Sequence, residues 1–253
     1  MNYIAIINFL AHQYNHYSGG MRGGYYLDWT YILVLIGFVF STICSSKVSS
    51  TYKKYDQVRT NSNKTGAQVA EEILRANGIY DVQVNHIPGN LTDHFNPQTN
   101  VVNLSDSTFA STSVAAAGVA AHEVGHVIQH HTGYVPIKIR NTIVPLANIG
   151  TYASYIFILL GLLFRGNSSQ LFLNIGIYAF LGVVLFQLVT LPVEIDASSR
   201  ALRTLRDRGI LGEVETKQAR KVLTAAAMTY VAALATALLQ FIRLLLLFSN
   251  RRD

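Results

Sequence analysis

Long uncharged runs alternate along this chain with shorter polar stretches. Residues 29–46 form the first run, free of charge, with Trp29 and Tyr31 at its start, where amphipathic rings anchor a helix at a membrane surface. Residues 141–164 and 171–191 form the second and third. Only Arg165-Gly-Asn-Ser-Ser-Gln170 separates them, which predicts a helical hairpin across a bilayer. Residues 224–248 form the fourth, with Arg243 near its end, where a long side chain can snorkel to the interface. Within the N-terminal segment 1–28, His12 to Tyr26 is rich in Gly, Tyr, Asn and His and reads as a polar external segment. A metal role for His12 and His16 is the alternative there. Residues 1–11 are apolar but lack the basic start and small-residue cleavage site of a signal peptide.

Between the first and second runs the period of the pattern changes. Thr65-Gly-Ala-Gln68 has the form of a capping box, opening a helix through Val69, Ile73 and Leu74 that stops at Gly78. Asp81 to Ile87 alternates with period two and reads as a strand. Leu91–Asn96 and Asn100–Ser105 read as two more short strands, joined by a turn with Pro97 in its second position. Ser113 to Gln129 has no proline and mostly short side chains. It reads as a helix, capped by Ser111 or Ser113 and ended by Gly133.

That last helix carries His122-Glu123-Val124-Gly125-His126. Residues four apart share a helix face, so both imidazoles can reach one metal ion. Glu123 is one step round, close enough to touch a water on that metal without being a ligand. Zinc in a catalytic site needs this set: neutral nitrogen donors, a third protein ligand, an open position and a base beside it.

Composition sharpens the membrane reading. Of 253 residues 50% are hydrophobic and only 13% charged, too apolar for an ordinary soluble domain. The net charge of +6 does not suggest nucleic acid, because the basic residues flank apolar runs and form no compact patch. The single cysteine, Cys44, excludes an intramolecular disulfide and a cysteine zinc cluster, and reads as a small buried apolar residue. Most of the 20 basic residues fall in 47–140 and 192–223, which four spans place on one side. The positive-inside rule makes that side the cytoplasm and leaves both termini outside; Arg251 and Arg252 run against this.

A third ligand is judged by placement. Glu194 stands just after the third run, at the same membrane face as the zinc helix, in Pro192-Val-Glu-Ile-Asp-Ala-Ser198. Pro192 can end or kink the span, with a new helix starting near Val193. A carboxylate against an apolar span end is costly unless paired or metal-bound. The alternative pairs Glu194 with Arg200 or Arg203. Glu71, Glu72, Glu213 and Glu215 sit on faces that read as solvated. Asp196 is a candidate to hold a ligand imidazole by hydrogen bond. Asp93 and His94 form another constellation: His94 either stabilises an anionic intermediate or, with Asp93, simply pins the hairpin. His130 lies one turn beyond His126 and reads as a surface residue, and His86 has no evident role.

These blocks together resemble the neutral zinc metallopeptidases of bacterial membranes, the YugP-like family, over about residues 29–245. The resemblance rests on Thr65-Gly-Ala, Leu91-Thr-Asp-His-Phe-Asn-Pro97, Ala121-His-Glu-Val-Gly-His-Val-Ile-Gln129 and Leu191-Pro-Val-Glu-Ile-Asp-Ala-Ser198. It implies a multi-pass zinc protease with His122 and His126 as ligands and Glu123 as catalytic. The family's hairpin block usually reads Asp-His-Tyr-Asp-Pro, so Phe95 and Asn96 cannot fill a role needing a tyrosine hydroxyl or second acid there. The layout is also similar to HtpX-like and prenyl-protein peptidases, which carry an aspartate four residues after the ligand glutamate, where this chain has Ser198.

The expectation is an α+β, mostly α, multi-pass membrane protein with about four transmembrane helices and a small zincin-like core. Its segments are 1–28, span 29–46, zincin-like segment 47–140, hairpin 141–191, third-ligand helical segment 192–223 and span 224–248. It would bind Zn2+ through His122, His126 and Glu194, use Glu123 and His94 catalytically, and keep Asp196 and Asp93 in support. Its partners would be a polypeptide or membrane-protein substrate and the lipid bilayer, with no nucleic acid. In such cores an edge strand can hold an extended peptide. The rivals are an intramembrane protease whose zinc helix itself spans the bilayer, and a zinc-binding membrane scaffold in which His94 or His130 closes the metal site.

Overall fold

The computed structural model describes residues 29–249; the segment 1–28, with His12 and His16, and the terminal Arg251 and Arg252 lie outside the described residues. In chain order the elements are α1 Tyr31–Asp56, α2 Gly66–Ala76, β1 Gln83–Ile87, β2 His94–Asn96, β3 Val101–Ser105, α3 Asp106–Phe109, α4 Val114–His131, α5 Val135–Leu163, α6 Asn167–Asp207 and α7 Glu213–Ser249. The protein is mostly helical with one small sheet, and α1, α5, α6 and α7 are long and apolar enough to cross a membrane. The chain divides into two compact units.

One unit comprises Val39–Ile143 and Gln187–Leu234. Its α2 begins as the capping box requires: the Gln68 N–H donates to Thr65 Oγ1, and the Thr65 N–H donates to Gln68 Oε1 at 2.9 Å. The three strands run β1-β3-β2, with β1 parallel and β2 antiparallel to β3. Asn96 closes the β2–β3 turn by accepting from the Gln98 and Thr99 N–H groups through Oδ1. Val102 and Leu104 of β3, Ile73 of α2, Val124 and Val127 of α4 and Leu205 of α6 meet in one buried core. Nearly all of α4 is enclosed by it, which accounts for its run of alanine and valine: small side chains let other elements pack on every side. Ser113 is its N-cap, accepting from the Ala116 N–H at 3.0 Å, and Gly133 ends it at φ +66°.

Two local expectations differ. Pro192 does not end its helix, and no new helix starts near Val193; α6 runs from Asn167 to Asp207, so the polar stretch after the third apolar run continues that span's helix. Flanking turns of a long helix retain enough bonds to hold its course where one N–H is missing. Glu215 is buried rather than solvated, accepting from the N–H groups of Asn61 and Gly212.

The other unit, in its described residues, comprises 29–38, Val144–Phe186 and 235–249. It reverses the usual arrangement: Ile32, Leu35, Leu146, Ile149, Ile156 and Leu171 are exposed. Apolar faces of this extent are stable against lipid and not against water. The α5–α6 hairpin packs closely, because a Cβ on Gly161 or Gly176 would strike Leu173 or Ile158. Arg243 stacks its guanidinium 4.2 Å from the Tyr31 ring centroid, a cation–π contact.

Candidate metal centre

Helix α4 sets His122 and His126 one turn apart, their ring centroids 4.8 Å from each other and nearly perpendicular. Helix α6 crosses them. Glu194, 1% exposed, places Oε2 3.2 Å from His122 Nε2 and 3.5 Å from His126 Nε2. Donors about 2.0–2.1 Å from a tetrahedral zinc lie roughly 3.3–3.4 Å apart, so two imidazoles and a carboxylate fit that ion. The potential ligand atoms lie within 4.8 Å of one another, and among the described residues no other His, Cys, Asp or Glu joins the group.

What fixes the two rings is a set of contacts on their far side. His122 Nδ1 lies 3.1 Å from Ser198 Oγ, and His126 Nδ1 lies 3.0 Å from Gln129 Oε1. Both Nε2 atoms are thereby left for the metal side. Gln129 is fully buried, and its Nε2 donates to the Val193 carbonyl and to Asp196 Oδ2, both at 2.8 Å. Asp196 thus supports His126 through Gln129 rather than by direct contact, and Arg200 Nε donates to that same oxygen. Glu194 does not pair with Arg200 or Arg203; its other oxygen, Oε1, faces Arg140 Nη2 at 3.6 Å.

Glu123 points into the same recess without joining the donors. It is buried, and the Phe95 N–H donates to its Oε2 at 3.0 Å. Burial raises its carboxyl to about 7; the neighbouring Glu194 and Asp93 charges add to the rise, while His122 and the Phe95 N–H oppose it. A carboxyl that exchanges its proton near neutrality suits a general base. The recess holds about 210 Å³ and has apolar walls from Val48, Val119, Leu223 and Ala227.

Asp93 also lines this recess, while its carboxylate accepts from both the N–H and the hydroxyl of Ser105 and so ties β2 to β3. His94 does not line it: Nδ1 faces the Thr92 carbonyl at 2.9 Å and Nε2 faces Asn103 Nδ2 at 3.1 Å. His130 is exposed, with its ring edge-on to Phe95. His86 pairs with Asp106 at 2.7 Å. Four residues that sequence reasoning did not place are here: Gln129, Ser198, Arg140 and Tyr230, whose side chain lines the recess. The first two had a signal in their spacing, three residues after His126 and four after Glu194. Arg140 and Tyr230 had none, one standing at a span's start and the other inside an apolar run.

The class defined by these features is a helical protein with four candidate membrane spans and a buried His/His/Glu metal site. Residues 30–249 match the family described as "Putative neutral zinc metallopeptidase", and the chain belongs to that family. It is 40% identical over 224 residues to the "Putative membrane protease YugP" of Bacillus subtilis (strain 168), covering 85% of this chain and 98% of that relative. No solved structure matches it significantly.

Proposed function

We propose that this protein is a membrane-embedded zinc endopeptidase with a zincin-like core, working at the cytoplasmic face. The observation that carries this is the convergence of His122 Nε2, His126 Nε2 and Glu194 Oε2 beside a buried carboxylate that is not one of the three. These residues would hold the zinc. When bound, zinc polarises a substrate carbonyl and lowers the pKa of its water from 15.7 towards roughly 7.

The chain's own groups do the rest. Glu123 takes the proton of the attacking water and passes it to the leaving amine. The carboxyl is buried and accepts the Phe95 N–H, which holds it in place at the recess. Ser198 and Gln129 keep the ligand rings aimed, and Arg140 balances the charge of Glu194. Apolar walls suit an extended segment of a polypeptide or membrane protein. Edge strand β2 gives its Phe95 N–H to Glu123, so a peptide laid along that strand would compete for this donor.

Two observations weigh against the rivals. Helix α4 is absent from the candidate spans and spends its apolar surface on the protein core, which disfavours a spanning zinc helix. Among the described residues three donors gather and no fourth joins them, which suits an open catalytic site better than a closed structural one. The test uses the full chain reconstituted with zinc in vesicles and a peptide library read by mass spectrometry. Cleavage that stops with a hydroxamate and with Glu123→Gln supports the proposal; equal cleavage by wild type and Glu123→Gln sinks it.

A further inference from the structure

Peptide hydrolysis at this site gains from a hydrogen-bond donor for the carbonyl oxygen as it becomes an anion, beside the polarisation that zinc would supply. The sequence offered His94, but both its ring nitrogens face partners within the hairpin and the residue does not line the recess. The Phe95 side chain has no donor, and its N–H is held by Glu123. Ser198 serves His122. That leaves Tyr230.

Tyr230 arrives on α7, in the unit that contains the metal centre. Leu223, Ala226, Ala227 and Tyr230 share one face of that helix and form one wall of the recess, opposite the α4 residues His122 and Glu123. Along this wall the neighbours of Tyr230 are apolar, and its hydroxyl is the wall's one polar side-chain group. The hydroxyl lies within hydrogen-bonding reach of the Glu194 carboxylate, which places it beside the metal donors.

A purely structural role, satisfying Glu194, is not required of it. Glu194 Oε2 already faces two imidazoles and Oε1 already faces Arg140. With the carboxylate matched by these groups, Glu194 keeps partners when the hydroxyl turns towards substrate.

We propose that the Tyr230 hydroxyl is a catalytic group that donates a hydrogen bond to the scissile carbonyl oxygen as the water attacks. This rests on the peptidase reading above. As the new C–O bond forms, the carbonyl π pair moves onto that oxygen. Tyr230 keeps its proton throughout, and the proton of the water goes to Glu123 and then to the leaving nitrogen.

The experiment compares wild type, Tyr230→Phe and Glu123→Gln as full chains in vesicles. Zinc content, kcat, KM and the affinity of a phosphinic peptide, which mimics the tetrahedral oxyanion, are measured on each. Tyr230→Phe is expected to keep zinc and KM, to lose about 10²–10³-fold in kcat, and to bind the phosphinate more weakly by a comparable factor. Full kcat with full phosphinate affinity overturns the proposal and leaves the peptidase standing. Loss of zinc from Tyr230→Phe also overturns it, making Tyr230 a positioning residue for Glu194. A zinc-loaded wild type that neither cleaves nor binds phosphinate removes the peptidase reading itself, and the proposal with it.

Discussion

Gly125 faces the backbone of Ala197 so closely that a Cβ built on it would stand 2.6 Å from the Ala197 carbonyl oxygen. This contact brings α6 down onto the metal-binding turn of α4. Three residues before Ala197 lies Glu194, and one residue after it lies Ser198, both at His122. The glycine between the two histidines is therefore what lets the third donor approach.

Gly125→Ala should lose at least about tenfold in zinc affinity and roughly 1–3 kcal/mol of stability, because backbone cannot yield as a flexible side chain can. Gly182→Ala is the control, since a Cβ there meets nothing within 4 Å. Zinc titration and thermal melts in detergent compare them; equal affinity in both variants would remove the crossing argument.

The groups behind the imidazoles give a graded outcome. Gln129→Ala frees His126 Nδ1 and cuts the link to Asp196, and Ser198→Ala frees His122 Nδ1. Each should weaken zinc about 10–100-fold without abolishing binding. Competition with a chelator of known affinity measures this, and a variant indistinguishable from wild type would show that its partner ring is held by packing alone.

Glu123→Gln separates binding from chemistry. It keeps the size of the side chain and the acceptor for the Phe95 N–H but has no base, so zinc content should stay at wild-type level while turnover falls at least about 10²-fold. Parallel metal analysis and peptide cleavage check both halves.

The same carboxyl makes the metal-free protein pH-sensitive. Its ordinary value is 4.5 and its folded value is about 7, so the fold favours the protonated form. Its contribution is fully present below about pH 4.5 and is lost as pH rises through about 7. Metal-free wild type should thus lose up to roughly 3 kcal/mol between pH 5 and pH 8 relative to metal-free Glu123→Gln. Melting both proteins at the two pH values gives the double difference; a value near zero contradicts the burial argument.

Much of this was legible in the chain because local rules governed it. The capping box at Thr65, the turn at Asn96-Pro97, the Ser113 cap and the four apolar runs all appear close to where their residues put them. Its place just after the third apolar run also pointed to Glu194 as the residue that groups with His122 and His126. The uninterrupted course of α6 through Pro192 was not legible, because it depends on neighbouring turns rather than on proline itself. Nor were Arg140 and Tyr230, whose positions are set by helices packing far apart in sequence. His94 shows the converse: its place in a motif says nothing of where its ring nitrogens point, and Asn103 and Thr92 decide that.

The most direct measurement is zinc content by elemental analysis on detergent-purified wild type, Glu123→Gln and Glu194→Ala prepared in parallel. One zinc per chain in the first two and little or none in the third is the expected result, placing the metal on His122, His126 and Glu194 with Glu123 apart from it. Zinc absent from wild type, or retained in full by Glu194→Ala, would contradict the account at its centre.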